Sequence, residues 1–445
     1  MPYGEATKIS GVKPRRLLYV AKTARGGSAF SLYYLVKELD RRRYEPVILF
    51  FARERTYITE RLAEVGAQVC TLGLTDSSLV PTSAATVGRR DIGKWLETHV
   101  GKWASQAYAF LKGCYAFARR DVSKIAPIVR AIQASQADVV HINNGLRFGK
   151  PALIAAWLMQ KPCVCHVRMF DDLSPFDRLF ARFVNTFVYI SRAVEGHYTA
   201  QAIPLSKGTV IHNALDLSDY SVQPDGDGVR AEFGWPAQTP LVGIVGRLDW
   251  WKGHEYFLQA LAEAAQQIPD LKGLVVGEPE HTPRNHEYYL RLLRLTETLG
   301  LKGRIVFTGF RPDIPRLMSA LDVVVLSSAM PEPFGRVLIE GMAAGKPVVA
   351  TATGGVLDVI EHDLTGLLVP PQDSSAIARA VLSLLLDRNK AKRIGRAARQ
   401  RVEEKFTLTH HIVAVQSVYD TVLKHCPRSR RAGQQPVTDP HAKVR

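Results

Sequence analysis

Two glutamates, Glu332 and Glu340, stand eight positions apart in the stretch Pro-Glu-Pro-Phe-Gly-Arg-Val-Leu-Ile-Glu that begins at Pro331. The apolar run 322–326 ahead of them reads as a buried strand, and Pro331 and Pro333 stiffen the loop that follows. A helix is expected to begin near Gly335, with Val337, Leu338, Met342 and Ala343 along one face, and to stop at Gly345-Lys346-Pro347. Apolar residues 348–350 then form another strand. A helix N-terminus has unpaired N–H groups and about half a positive charge, which suits a phosphate. Two acids beside it would repel a bare phosphate. They make sense if the ligand also carries hydroxyl groups that donate to them.

The same strand–glycine–helix grammar opens two other parts of the chain. Residues 17–20 form a strand that runs into Gly26-Gly27-Ser28, where Ser28 is a good N-cap for a helix through Leu39. Residues 241–245 lead into Gly246-Arg247 and, after four further residues, Lys252-Gly253, with a helix expected over 254–267. Two such openings are what two facing Rossmann-like domains would show, so the fold class is α/β with a deep cleft between the domains. Further strands are expected at 47–51, 68–72, 138–142, 163–168, 187–191, 210–216, 274–278 and 305–311, with helices at 57–65, 374–386 and 408–424.

Taken together, Glu332-x7-Glu340 with Pro333-Phe334-Gly335 between, Gly341-Met-Ala-Ala-Gly-Lys-Pro-Val-Val after, and Gly-x-x-Gly-Arg-x4-Lys-Gly at 243–253 resemble the donor site of retaining glycosyltransferases with the GT-B fold. The chain is most similar to glycosyltransferase family 4, densely over 241–371 and thinly before it. The resemblance implies a sugar carried on a nucleotide diphosphate as co-substrate and a glycan, glycolipid or lipid-linked acceptor. Arg247 and Lys252 would balance the diphosphate, Glu332 would contact sugar hydroxyls, and Glu340 would hold the ribose. Gly26, Gly27, Gly246, Arg311, Phe334, Gly335, Arg336 and Val337 complete the implied donor contacts, and Asp358 resembles the acid of a Gly-Gly-x-x-Glu element. Two cations and about +0.5 of helix terminus nearly neutralise a diphosphate. No metal and no other cofactor is therefore expected.

On the acceptor side the family resemblance implicates His141, Asn143, His166 and Arg168. Many relatives carry a functional histidine at the end of this strand. Here Arg168 falls in that position, with His166 two residues earlier and on the same face. No nucleophile is assigned, because the family is described by front-face attack assisted by the leaving phosphate. Two alternatives stay open: the same fold acting as a nucleotide-sugar epimerase or hydrolase, and a dinucleotide-binding oxidoreductase. The second lacks the third glycine and the acidic ribose ligand about 20 residues on.

The domains are bounded from these landmarks: an extension at 1–15, an acceptor domain at 16–215, a linker at 216–236, a donor domain at 237–426 whose last helix packs back on the first domain, and a disordered tail at 427–445. Within the first domain the strand rhythm stops between 76 and 136. Cations such as Arg89, Lys102, Lys112, Arg119 and Arg130 are there mixed with Trp95, Trp103, Tyr108, Phe110 and Tyr115. That mixture suits a helical pair with its rings turned inward and a solvated basic face, or an anionic membrane surface through residues 89–130.

The 445 residues carry 58 Lys and Arg against 42 Asp and Glu, a net charge of +16. Nucleic acid is not the expected partner, since no RNA-binding or helix-turn-helix signature accompanies the charge. Five scattered cysteines without a Cys-x-x-Cys pair fit a reducing compartment. With no signal peptide and no apolar run near the ~20 residues of a membrane span, the expected location is cytoplasmic, peripheral on the inner face of the membrane.

Overall fold

The computed structural model describes residues 13–52, 56–74, 92–220, 225–280 and 282–425. The expected tail and most of the N-terminal extension lie outside these residues, as do Arg89 and Arg90 of the basic segment.

Two parallel sheets organise the chain. The first joins β1 (Arg15–Ala21), β2 (Tyr44–Ala52), β3 (Gln68–Leu74), β4 (Val139–Ile142), β5 (Cys163–Val167), β6 (Thr186–Tyr189) and β7 (Gly208–Val210) in the order β3-β2-β1-β4-β5-β6-β7. The second joins β8 (Leu241–Val245), β9 (Lys272–Val276), β10 (Ile305–Gly309), β11 (Val323–Leu326), β12 (Val348–Thr351) and β13 (Leu367–Val369) in the order β10-β9-β8-β11-β12-β13. Helices cover both faces, which is why β2 and β11 read as unbroken apolar runs rather than alternations. This is the two-domain Rossmann-like architecture expected from the sequence.

In each sheet the strand order reverses beside the first strand of the domain, between β1 and β4 and between β8 and β11. Loops leaving the carboxyl ends of such a pair turn to opposite faces and open a crevice, the usual ligand position in doubly wound sheets. The first crevice is bounded by the Gly26-Gly27 turn and Asn143, the second by residues 246–253 and 327–335.

Among the described residues between β3 and β4 are the helices Ile92–His99, Lys102–Arg120 and Val122–Ser135. Ile128 and Ile132 of the third are fully buried against the first sheet. The final helix, Leu408–His425, leaves the second domain and lays Ile412, Val415, Tyr419 and Val422 into the core of the first. Its Tyr419 hydroxyl meets His141 Nδ1 at 2.7 Å and donates to the Tyr19 hydroxyl at 3.0 Å. Arg43 clamps Asp420 from outside at 2.6 Å.

Helix 26–37 begins two residues before the serine expected to cap it. Gly26 has φ +73°, and the Ser28 hydroxyl instead accepts from Asn144 Nδ2 at 3.2 Å.

Four histidines are buried without a carboxylate to charge them. Burial, aided by the charge of Arg168, lowers His141 to about 3 and His166 well below the usual imidazole range. Burial likewise takes His411 to about 4 and His254 to about 3. Each is neutral in the fold, while the unfolded chain protonates it near pH 6.5, so their contribution is complete above that value and lost as pH falls. Each histidine then costs about 1.4 kcal/mol per pH unit. Urea-unfolding free energy is expected to drop steeply from pH 6.5 towards 4, by about 5 kcal/mol per unit near pH 5. A flat profile between pH 6.5 and 5 would show that these imidazoles are not held neutral.

Candidate active site

The crevice of the second domain is built by close backbone packing. Lys252 ends a short 3-10 turn, and Gly253 follows with φ +65°. A Cβ at Gly253 would lie 2.2 Å from the Ser327 carbonyl, so only glycine lets this loop lean on the end of β11. Ser327 Oγ donates to the Gly253 carbonyl at 2.8 Å. The result brings Lys252 Nζ to 2.7 Å from Glu332 Oε2, which also accepts from Ser328 Oγ at 2.8 Å. Glu332 is buried, and Lys252 sits over the Trp251 ring at 4.2 Å.

Arg247 leaves β8 on the same loop, about half exposed. It pairs with Asp249 at 2.8 Å and with Glu280 at 3.5 Å. Asp249 is buried and fixed by Asn285 Nδ2 at 2.7 Å, so one carboxylate aims the guanidinium. Sequence reading passed over Asp249, Asn285 and Ser328. The signal for Asp249 was available, since it follows Arg247 by two residues within a glycine-bounded loop.

Gly335, with φ +83°, turns the chain into helix Arg336–Ala343. Phe334 is buried against His212 and Phe406 at 5.8 and 5.9 Å between ring centroids. Arg336 links the two domains. One Nη donates to Glu340 Oε1 and the other to Ser31 Oγ of the first domain, both at 3.1 Å. A Cβ on Gly27 would stand 3.7 Å from Arg336 Cδ, so the Gly26-Gly27 turn faces this helix directly. Arg336, Glu340 and Gly27 thus meet at the domain seam, while Lys252 and Glu332 pair at the start of the same Glu332–Gly335 loop, with Gly246 and Arg247 on the loop that carries Lys252.

On the acceptor side Arg168 is 9% exposed and held by neutral groups: Asn143 Oδ1 at 3.0 Å, Asn213 Oδ1 at 2.9 Å and His166 Nδ1 at 3.3 Å. Burial first, then the nearby Arg336, pulls its guanidinium down to about 9, still charged at neutral pH. Ser31 Oγ donates to Asn213 Oδ1 at 3.3 Å and accepts from Arg336, so hydrogen bonds run from Arg168 to Glu340.

Four expected contacts prove to be engaged elsewhere. His141 and His166 are wholly buried beneath helix Leu408–His425, because β4 and β5 turn these positions towards it. Arg311 is taken by Asp313 at 2.8 Å and by Glu232 of helix Gly226–Glu232, so it fastens that helix to the second domain. Asp358 lies on the seam, accepting from the Arg192 amide at 2.7 Å and from His212 Nε2 at 3.1 Å. Burial would raise the Asp358 carboxyl, but those hydrogen bonds outweigh it and hold it below the usual carboxylate range. Among the described residues no group of three or more His, Cys, Asp or Glu is placed to share a metal ion.

Comparison with known proteins places this geometry in context. The model of Glycosyltransferase Family 4 matches residues 25–219, and that of Glycosyl transferases group 1 matches residues 227–401. The spore coat protein SA of Bacillus subtilis is 27% identical over 65% of this chain and 80% of that protein. The D-inositol 3-phosphate glycosyltransferase of Mycolicibacterium smegmatis is 29% identical over 67% of this chain and 66% of its own. The 2-deoxystreptamine glucosyltransferase of Streptomyces kanamyceticus is 32% identical over 48% and 54%. The chain spans about half the length of most curated relatives it matches. The crystal structure of Anabaena Alr3699/HepE with UDP and glucose superposes with a TM-score of 0.73 at 23% identity, covering 91% of this chain and 99% of that one, and shares its fold.

The Gly354-Gly355 turn props the Glu332 loop. Gly354 has φ +60°, and a Cβ there would fall 2.3 Å from the Glu332 carbonyl. Gly300 has a similar φ of +66° with open space around it. Gly300→Ala is expected to cost about 1 kcal/mol from backbone strain alone. Gly354→Ala should exceed it by about 1–3 kcal/mol, as overpacking does. Equal losses in urea melts would mean that the turn does not brace the loop.

Proposed function

We propose that this chain, whose residues 227–401 match the family model of the group 1 glycosyl transferases, moves a sugar from a nucleotide-diphosphate sugar to a glycan, glycolipid or lipid-linked acceptor, with retention and without a metal. The observation that carries this reading is the Lys252–Glu332 pair at 2.7 Å, set where the β8 and β11 loops part and beside Arg247. Lys252 and Arg247 would take the diphosphate, joined by amides opening helix 336–343. Glu332 is oriented through one oxygen by Lys252 and Ser328, and its carboxylate would accept from sugar hydroxyls. Glu340, steadied by Arg336, would accept from the ribose. Closing the first domain over the second would exclude the water that otherwise hydrolyses the donor.

The sugar-transferring relatives support a sugar-transfer reading, and the Anabaena neighbour holding UDP and glucose supports a nucleotide-sugar donor. Acceptors in cell-envelope or polysaccharide synthesis fit the basic first domain, working at the cytoplasmic face of the membrane. No helix among the described residues is long and apolar enough to cross a membrane. The epimerase or hydrolase alternative shares the donor site and differs only in needing no acceptor.

Glu332→Gln and the double substitution Arg247→Ala/Lys252→Ala are each expected to lower sugar transfer by about 10²-fold or more, the scale of losing a preorganised charge contact. Melting temperatures should stay near that of the parent. Transfer should persist in EDTA, and the product linkage should keep the donor's anomeric configuration by NMR. Near-parental turnover in both variants would sink the assignment, and activity restored only by added magnesium would remove its metal-free part. Sugar released at an unchanged rate without any acceptor would favour the hydrolase.

A further inference from the structure

We infer that the first domain docks on an anionic lipid bilayer through a face formed by helices Lys102–Arg120 and Val122–Ser135 and continued by helices Leu146–Leu158 and Pro175–Ala181. The inference rests on the glycosyltransferase reading only for its biological sense; the surface itself is argued from packing and charge.

Rings join the pieces. Helix Lys102–Arg120 lays Phe110 and Phe117 on Phe176 at 5.6 and 5.7 Å, and Phe117 also touches Phe180 at 5.8 Å. Phe180 continues to Phe183 at 6.5 Å, and Phe183 to Trp157 at 5.9 Å. Gly113 makes room for this contact, because a Cβ there would lie 2.7 Å from Phe176 Cβ. The aromatic chain therefore starts on the helix that sequence reading singled out and ends on a helix it did not. Beside its far end, Val122, Ile125, Val129 and Leu158 line an open apolar groove of about 470 Å³ with Arg130 at its edge.

What this layer shows to solvent is unusual for a monomer. Trp103 is 71% exposed, Leu111 and Tyr115 are each 66%, and Trp157 is 60%. Exposed apolar groups gathered in this way mark an interaction site. Across residues 102–135 stand the exposed cations Lys102, Lys112, Arg119, Arg120 and Arg130, and the one acid there, Asp121, is taken by the buried Lys124. Arg178 and Arg182 add exposed positive charge on the neighbouring helix. A second copy docking through the same face would set these cations against one another. A bilayer with anionic headgroups satisfies both features, taking aromatic and aliphatic side chains at the interface and neutralising the cations around them. Docked this way, the domain proposed to receive the acceptor would lie on the membrane, where a lipid-linked acceptor is presented.

The test is co-sedimentation of the full chain with vesicles of phosphatidylcholine, with and without phosphatidylglycerol. Binding is expected only when phosphatidylglycerol is present, and to weaken with salt. Arg119→Gln/Arg120→Gln should weaken it by about 30-fold, from the loss of two cations near the surface. Trp157→Ser/Leu158→Ser, outside the basic segment, should weaken it at least about 10-fold. Both variants should keep the parental melting temperature and nucleoside-diphosphate binding, since none of the four residues borders the donor crevice. Vesicle binding that is absent, or unaffected by Trp157→Ser/Leu158→Ser, overturns the inference while leaving the donor site intact. So does self-association in sedimentation velocity that those substitutions abolish. Loss of nucleotide binding in the unsubstituted chain would instead sink the transferase reading and leave the docking face standing.

Discussion

The ion pair between Lys252 and Glu332 is the contact on which the rest of the site depends. Both side chains are largely withdrawn from water, at 17% and 7% exposure, so their attraction is set against a real desolvation cost. Such a pair is weak evidence for stability and better evidence for placement. It ties a loop leaving β8 to a loop leaving β11 where the two diverge, and it needs Gly253 on one side and Gly354-Gly355 on the other to let the backbones approach. The lysine and the carboxylate are thereby held in fixed positions where the two loops part.

Charge along the domain seam follows the same economy. Arg168 is enclosed by asparagines and a neutral histidine, Arg336 lies near enough to depress it, and Glu340 is the carboxylate that Arg336 reaches. Two guanidiniums tempered by one acid leave the crevice positive, which suits a ligand that brings about two negative charges of its own. Arg247 differs, since the buried Asp249 and the exposed Glu280 hold it at the rim, half exposed.

Much of this was legible in the sequence because it is local. The strand–glycine–helix openings at residues 17 and 241, the proline-stiffened loop before Gly335 and the cations of 246–253 are each set by neighbours in the chain. What escaped depends on distant packing. His141 and His166 sit at the carboxyl ends of strands, where ligands gather, yet a helix more than 240 residues later covers them. Arg311 occupies a loop that could face a ligand, but Glu232 and Asp313 claim it first. Helix Arg388–Lys405 was missed altogether. Its long charged run hides a narrow stripe of Ile394, Ala398 and Val402, and Gly395 brings it so near that a Cβ would stand 2.2 Å from the Gly345 carbonyl.

The central claim is that a pyrophosphate bridge is gripped by Arg247, Lys252 and the peptide groups of one helix. Calorimetric titration with nucleoside diphosphates and their matching monophosphates, in chelator, tests it most directly. One diphosphate should bind at least about 10-fold more tightly than its monophosphate, and the advantage should vanish in Arg247→Gln/Lys252→Gln. Equal affinity for the two, or a diphosphate advantage untouched by removing both cations, would contradict it.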